Sequence, residues 1–82
     1  MKVALSKDAQ KQYSRLPLPE QKKVNKKLLA LEQNPLSGKK LAGEMQGIYT
    51  LRSWPYRILY EINALEKRIE IHKILHRQGS YK

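Results

Sequence analysis

The chain has 82 residues, no cysteine and two histidines, and its 17 Lys and Arg against seven Asp and Glu give a net charge of +10. That length suits one domain, residues 1–82, with a single core and no deep internal pocket, so any site lies on a surface or in a groove. The composition excludes disulfides and thiolate metal sites, leaves too few histidines for a typical structural zinc, and contains no apolar run near the ~20 residues of a membrane span.

The opening MKVALSKDAQ is basic without the apolar centre of a signal peptide, so a soluble cytoplasmic protein is expected. Mixed charges would solubilise the chain as well as this imbalance does. The excess of cations points instead to polyanionic partners: RNA, DNA, an acidic protein or an anionic membrane surface.

In chain order, KVAL suits a first strand. Ser6 then stands at an N-cap position with Asp8 in the first turn, and Ala9, Tyr13 and Leu16 recur on one helical face. Pro17 ends that helix, and Pro19-Glu20 opens a second, whose buried stripe is Val24, Leu28 and Leu31. Lys22, Lys23, Lys26 and Lys27 cover its other face, and NPLSG stops it. So short a link between helices predicts an antiparallel hairpin.

From Leu41 the period changes to two. IYTLRS, YRILYEI and RIEIHKIL read as three strands, with Ile58, Tyr60 and Ile62 in phase on the second and Ile69 and Ile71 in phase on the third. Short links make them an antiparallel meander. The fold class is therefore α+β, in the order β-α-α-β-β-β, with the helical hairpin covering one face of a small antiparallel sheet.

The chemistry-bearing residues are cationic and aromatic. No carboxylate pair, Ser-His-Asp set or Gly-rich phosphate loop is present. Arg52, Arg57, His76, Arg77 and Tyr81 remain, and the meander brings their three regions to one end of the sheet. Cations suit a reaction whose charge builds on phosphate oxygens. In RNA the 2′-hydroxyl supplies the nucleophile, so in-line geometry, a base, an acid and phosphate clamps suffice, and no metal or cofactor is required.

At this point the chain resembles a known superfamily. Lys40-Leu41-Ala42-Gly43, Tyr49-Thr50-Leu51-Arg52, Tyr56-Arg57-Ile58 with Tyr60 and Ile62, and His76-Arg77 with Tyr81 follow the pattern of the RelE/ParE toxins of type II toxin–antitoxin systems, RelE-like branch. LSKDAQKQYSRLP and LEQNPLSGKKLAG resemble that family's first helix and second-helix exit, so the likeness runs through essentially the whole chain.

The resemblance implies a RelE-like fold and a ribosome-dependent endoribonuclease (an mRNA interferase) that cuts translated mRNA in the A site, inhibits translation, and is held by a cognate acidic antitoxin. By that likeness Arg57 contacts the scissile phosphate, Arg77 adds a second positive clamp, and Tyr81 orients a base or transfers a proton. Arg52 takes a basic catalytic or phosphate-binding position and His76 a basic or proton-shuttling one. Lys22, Lys23, Lys26 and Lys27 would dock on ribosomal RNA, and Trp54 would stack on RNA, touch the antitoxin or pack. Thr50 stands where some members carry a second basic residue, which leaves the general base open, with Glu44 as one analogue. The alternatives are a ParE-like inhibitor of DNA gyrase without nuclease activity and a degenerate homologue that binds only its antitoxin or RNA. Read without the resemblance, Arg57 is a solvated strand residue or an ion-pair partner of Glu61, and His72 is structural or on the surface.

Overall fold

The computed structural model describes residues 1–40 and 47–76. Strand β1 (Lys2–Leu5) leads into helix α1 (Lys7–Ser14). Ser6 Oγ accepts from the Ala9 amide at 3.0 Å, so it caps α1 as its position implies. Pro17 blocks further helix, and α2 (Leu18–Gln33) begins next to it with Pro19 in its first turn, where a missing N–H costs nothing. Gln21 Nε2 donates to the Tyr13 carbonyl at 3.0 Å and ties the two helices across their link. A 3-10 turn (Pro35–Ser37) follows α2. Then come β2 (Lys39–Lys40), β3 (Ile48–Ser53), β4 (Tyr56–Asn63) and β5 (Arg68–His76).

The strands form one sheet in the order β1-β5-β4-β3-β2. The β3–β4–β5 meander is antiparallel, as the alternation predicts. The sheet as a whole is mixed: β1 joins β5 in parallel, from Lys2↔Arg68 to Leu5↔Ile71, and β2 adds antiparallel to β3 with Lys39 opposite Thr50. KVAL marks β1 as a strand, but neither its parallel pairing nor β2 leaves a local signal. The partner of β1 lies at the far side of the sequence, and two residues are too few to show a period.

Both helices pack on one face. Ala9, Val24, Leu28 and Leu31 meet Ile58, Tyr60, Ile69, Ile71 and Ile74 there. Lys22, Lys23, Lys26 and Lys27 are exposed on the far side of α2. Along β5 the buried residues run Ile69, Ile71, Ile74, which breaks strict alternation. The cause is a bulge: Tyr60 faces Ile71 but Leu59 faces Lys73, so His72 is the extra residue. The bulge returns Ile74 to the core.

The pairing of β1 stops at Leu5, while β5 continues to His76. The backbone edge left bare needs partners. The Ser6 amide donates to the Ile71 carbonyl at 2.9 Å, Ser6 Oγ to the His72 carbonyl at 2.7 Å, and the Ile74 amide to Gln12 Oε1 at 2.7 Å. The start of α1 thus completes the sheet edge. Among the described residues no helix is long and apolar enough to cross a membrane.

Ser6 serves the helix and the sheet with one hydroxyl. Ser6→Ala is therefore expected to cost ~1–2 kcal/mol, read as a lowered urea midpoint at unchanged slope.

Candidate nucleic-acid interface

The face of the sheet away from the helices collects the cations. Period-two alternation sends Ile58 and Tyr60 inward, so Arg57, Leu59 and Glu61 point outward on β4. Arg52 lies directly opposite Arg57 across the β3–β4 ladder. Like charges so placed oppose folding, typically by ~0.2–1 kcal/mol, and an anion between them would reverse the sign. Lys39, opposite Thr50, stands one strand further out. Ser37, Gly38, Lys39, Thr50, Leu51, Arg52 and Arg57 line a groove of about 430 Å³. Thr50 Oγ1 is buried in this wall with no hydrogen-bond partner among the described residues.

The groove wall is set from beneath by Tyr60. Its ring is fully buried and stacks on Tyr49, with centroids 5.3 Å apart. Its hydroxyl donates to the Pro35 carbonyl at 2.9 Å and accepts from the Gly38 amide at 3.0 Å. The approach is so close that a Cβ on Gly38 would lie 2.5 Å from the hydroxyl and 2.7 Å from the Thr50 carbonyl. The segment that delivers Lys39 is therefore fixed by a phenol from β4.

A second groove, about 400 Å³, lies between α2 and the β3–β4 turn, lined by Lys23, Lys26, Lys27, Arg52, Ser53 and Trp54. Trp54 is 64% exposed, and its peptide bond to Pro55 is cis. Arg52 belongs to both grooves. Lys22 lines neither.

The expected set is only partly gathered. Arg52 and Arg57 share one face. His76 reaches the same end of the sheet, opposite Tyr56, but in phase with Ile58 and Ile74 on the helix-facing side. Its ring stands edge-on to Tyr56 with centroids 5.3 Å apart. Arg77, Tyr81 and Glu44 lie outside the described residues. Glu61 pairs with His72, Nε2 to Oε1 at 3.0 Å, which gives both residues a structural task. Lys39 escaped sequence reasoning because its strand is too short to see; the only sign of it was a basic pair directly after the Pro-Leu-Ser-Gly turn.

A family model described as the ParE toxin of type II toxin–antitoxin systems, parDE, matches residues 3–81. The chain belongs to this toxin family. Its fold is that of RelE-like proteins. A RelBE2 toxin–antitoxin complex from Mycobacterium tuberculosis has 28% identity and a TM-score of 0.85, over 93% of this chain and 96% of the other. An archaeal RelE–RelB complex from Pyrococcus horikoshii has 27% identity and a TM-score of 0.80, over 93% of each chain. The isolated E. coli RelE toxin, at 23% identity and a TM-score of 0.82 over 98% of this chain and 87% of that one, shares the fold. No curated protein sequence matches the toxin.

Burial raises the Tyr60 phenol above its ordinary value of 10.0. The unfolded chain then loses this proton first, so stability falls as pH rises through about 10 and goes on falling until the folded phenol ionises. Tyr60→Phe should remove that part of the fall, while costing ~1–3 kcal/mol at neutral pH through the unpaired Gly38 amide and Pro35 carbonyl. Urea unfolding from about pH 8 to about pH 11 measures both effects. Gly38→Ala should destabilise by ~1–3 kcal/mol in the same assay, because the Thr50 backbone cannot yield to the added methyl.

Proposed function

We propose that this toxin is a ribosome-dependent endoribonuclease that cuts translated mRNA in the A site. The observation that carries the reading is the placement of Arg52 and Arg57 at directly opposed positions on the open sheet face. Two forked cations on one face of the sheet suit a phosphodiester. In the reaction the ribose 2′-oxygen forms a bond to phosphorus and the bond to the 5′-oxygen breaks. The 2′-proton passes to a base, and the leaving oxygen takes a proton from an acid. Arg57 holds the scissile phosphate and its developing charge, with Arg52 beside it. His76 is assigned proton transfer at the same strand end, from its helix-facing side. Arg77 and Tyr81 are assigned the second clamp and the base contact. The exposed lysines of α2 supply salt-sensitive docking to ribosomal RNA. The toxin acts as a single domain in the cytoplasm.

The partner follows from the RelB-bound relatives together with the charge. A cognate antitoxin, acidic and folding as it binds, would neutralise the +10 surface. A second reading is favoured by the family model itself, which is that of ParE. On that reading the toxin inhibits DNA gyrase and the arginine pair has no catalytic task.

Primer extension on mRNA in a translating ribosome complex separates these. The nuclease reading expects cuts with ribosomes and none on free RNA, reduced ~100-fold or more by Arg57→Ala at unchanged fold and antitoxin binding. Arg52→Ala should weaken cleavage in the same direction. Absence of cuts together with loss of gyrase supercoiling would establish the ParE-like reading instead.

A further inference from the structure

We infer that the groove between α2 and the β3–β4 turn is a base-stacking subsite for single-stranded RNA, reached from the phosphate clamp through Arg52. The inference rests on the reading of Arg52 and Arg57 as that clamp. Three observations support it.

First, the two grooves meet at a shared residue. Arg52 lines both, with Thr50, Arg57 and Lys39 on one side of it and Ser53, Trp54 and the α2 lysines on the other. A chain of phosphates leaving the open face over the end of β3 meets Trp54 two residues beyond Arg52. Second, the wall is cationic. Lys23, Lys26 and Lys27 line it, and the nearby acid, Glu20, is 3.7 Å from Lys23 Nζ and one turn back along α2. Third, the floor holds a large aromatic ring. Trp54 keeps 64% of its surface exposed in the midst of these cations.

Lysines alone would accept an acidic peptide as readily as a nucleic acid. The ring decides between them, since an unpaired base covers an indole face while its phosphates reach the flanking ammonium groups. A carboxylate-rich peptide has nothing comparable to place there. Stacking on a ring is tolerant of base identity, so the subsite positions the strand one or two nucleotides from the clamp without selecting a sequence.

Trp54 is the only tryptophan in the chain, so its emission reports the subsite directly. The purified toxin is titrated with a 2′-O-methyl RNA hexamer, which has no free 2′-hydroxyl and cannot be cut. The same titration is run with a hexamer of abasic residues and with poly-glutamate. The expected result is quenching by the RNA hexamer and binding about tenfold weaker for the abasic strand, the size of one lost stack. Both Trp54 variants lack the indole, so their binding is followed by the fluorescence anisotropy of end-labelled hexamers: Trp54→Leu should erase the difference between the RNA and abasic strands, and Trp54→Phe should restore part of it. Lys26→Ala combined with Lys27→Ala should make the salt dependence of binding shallower by about one phosphate contact or more. The inference is overturned if the hexamer binds without altering the emission, if it does not bind, or if poly-glutamate quenches equally at equal affinity. The last outcome would mark an acidic-peptide site. The clamp reading is tested separately. Ribosomal cleavage lost in Arg57→Ala with Trp54 quenching retained supports both assignments, whereas quenching in a wild-type protein that never cuts mRNA would leave the subsite and remove the nuclease.

Discussion

The placement of the cationic groove depends on one buried hydroxyl. Tyr60 sits in the middle of β4 with its ring in the core, where a phenol must find partners. It finds both in the segment after α2, the Pro35 carbonyl and the Gly38 amide. That pair of bonds spans the layers: the sheet holds the exit of the helical hairpin, and the exit in turn lays Lys39 against β3. The fit leaves no room for a side chain at Gly38. The wall of the cationic groove is thus an outgrowth of the core, and a change in one is transmitted to the other.

The sheet keeps its two faces chemically separate. The inner face is apolar and receives both helices. The outer face carries Arg52 against Arg57 at one end and Glu61 against Glu70 toward the other. Each acid is occupied, Glu61 by His72 at 3.0 Å and Glu70 by Arg68 at 3.4 Å. Both acids are thus paired on their own part of the sheet, away from Arg52 and Arg57.

Much of this was legible from residues. Ser6, Pro17 and Pro19 mark helix ends by mechanisms that act locally, and Val24, Leu28 and Leu31 repeat at helical spacing, so α1 and α2 could be drawn in advance. The meander was equally plain in the alternation of β4. The losses were all of non-local kind. β1 pairs with a strand far along the chain, and β2 is formed by its neighbour's need for a partner. His76 shows the limit most clearly. Strict alternation from Ile69 and Ile71 would put it on the face of Arg57. The single extra residue at His72 transfers it to the other side. A bulge of one residue leaves no mark in composition or period, yet it decides which residues share a face of the sheet.

The position of β5 also bears on how the molecule comes into existence. Among the described residues it is the last element in sequence, but it lies inside the sheet, with β1 on one side and β4 on the other. Its Ile69, Ile71 and Ile74 are three of the five buried sheet residues on which the helices rest. Contacts of such long sequence separation form late and slowly. A nascent chain on a ribosome therefore holds two helices and a hairpin with no finished layer to close on. The strand of Arg57 gains its second neighbour only after residues 68–76 have emerged.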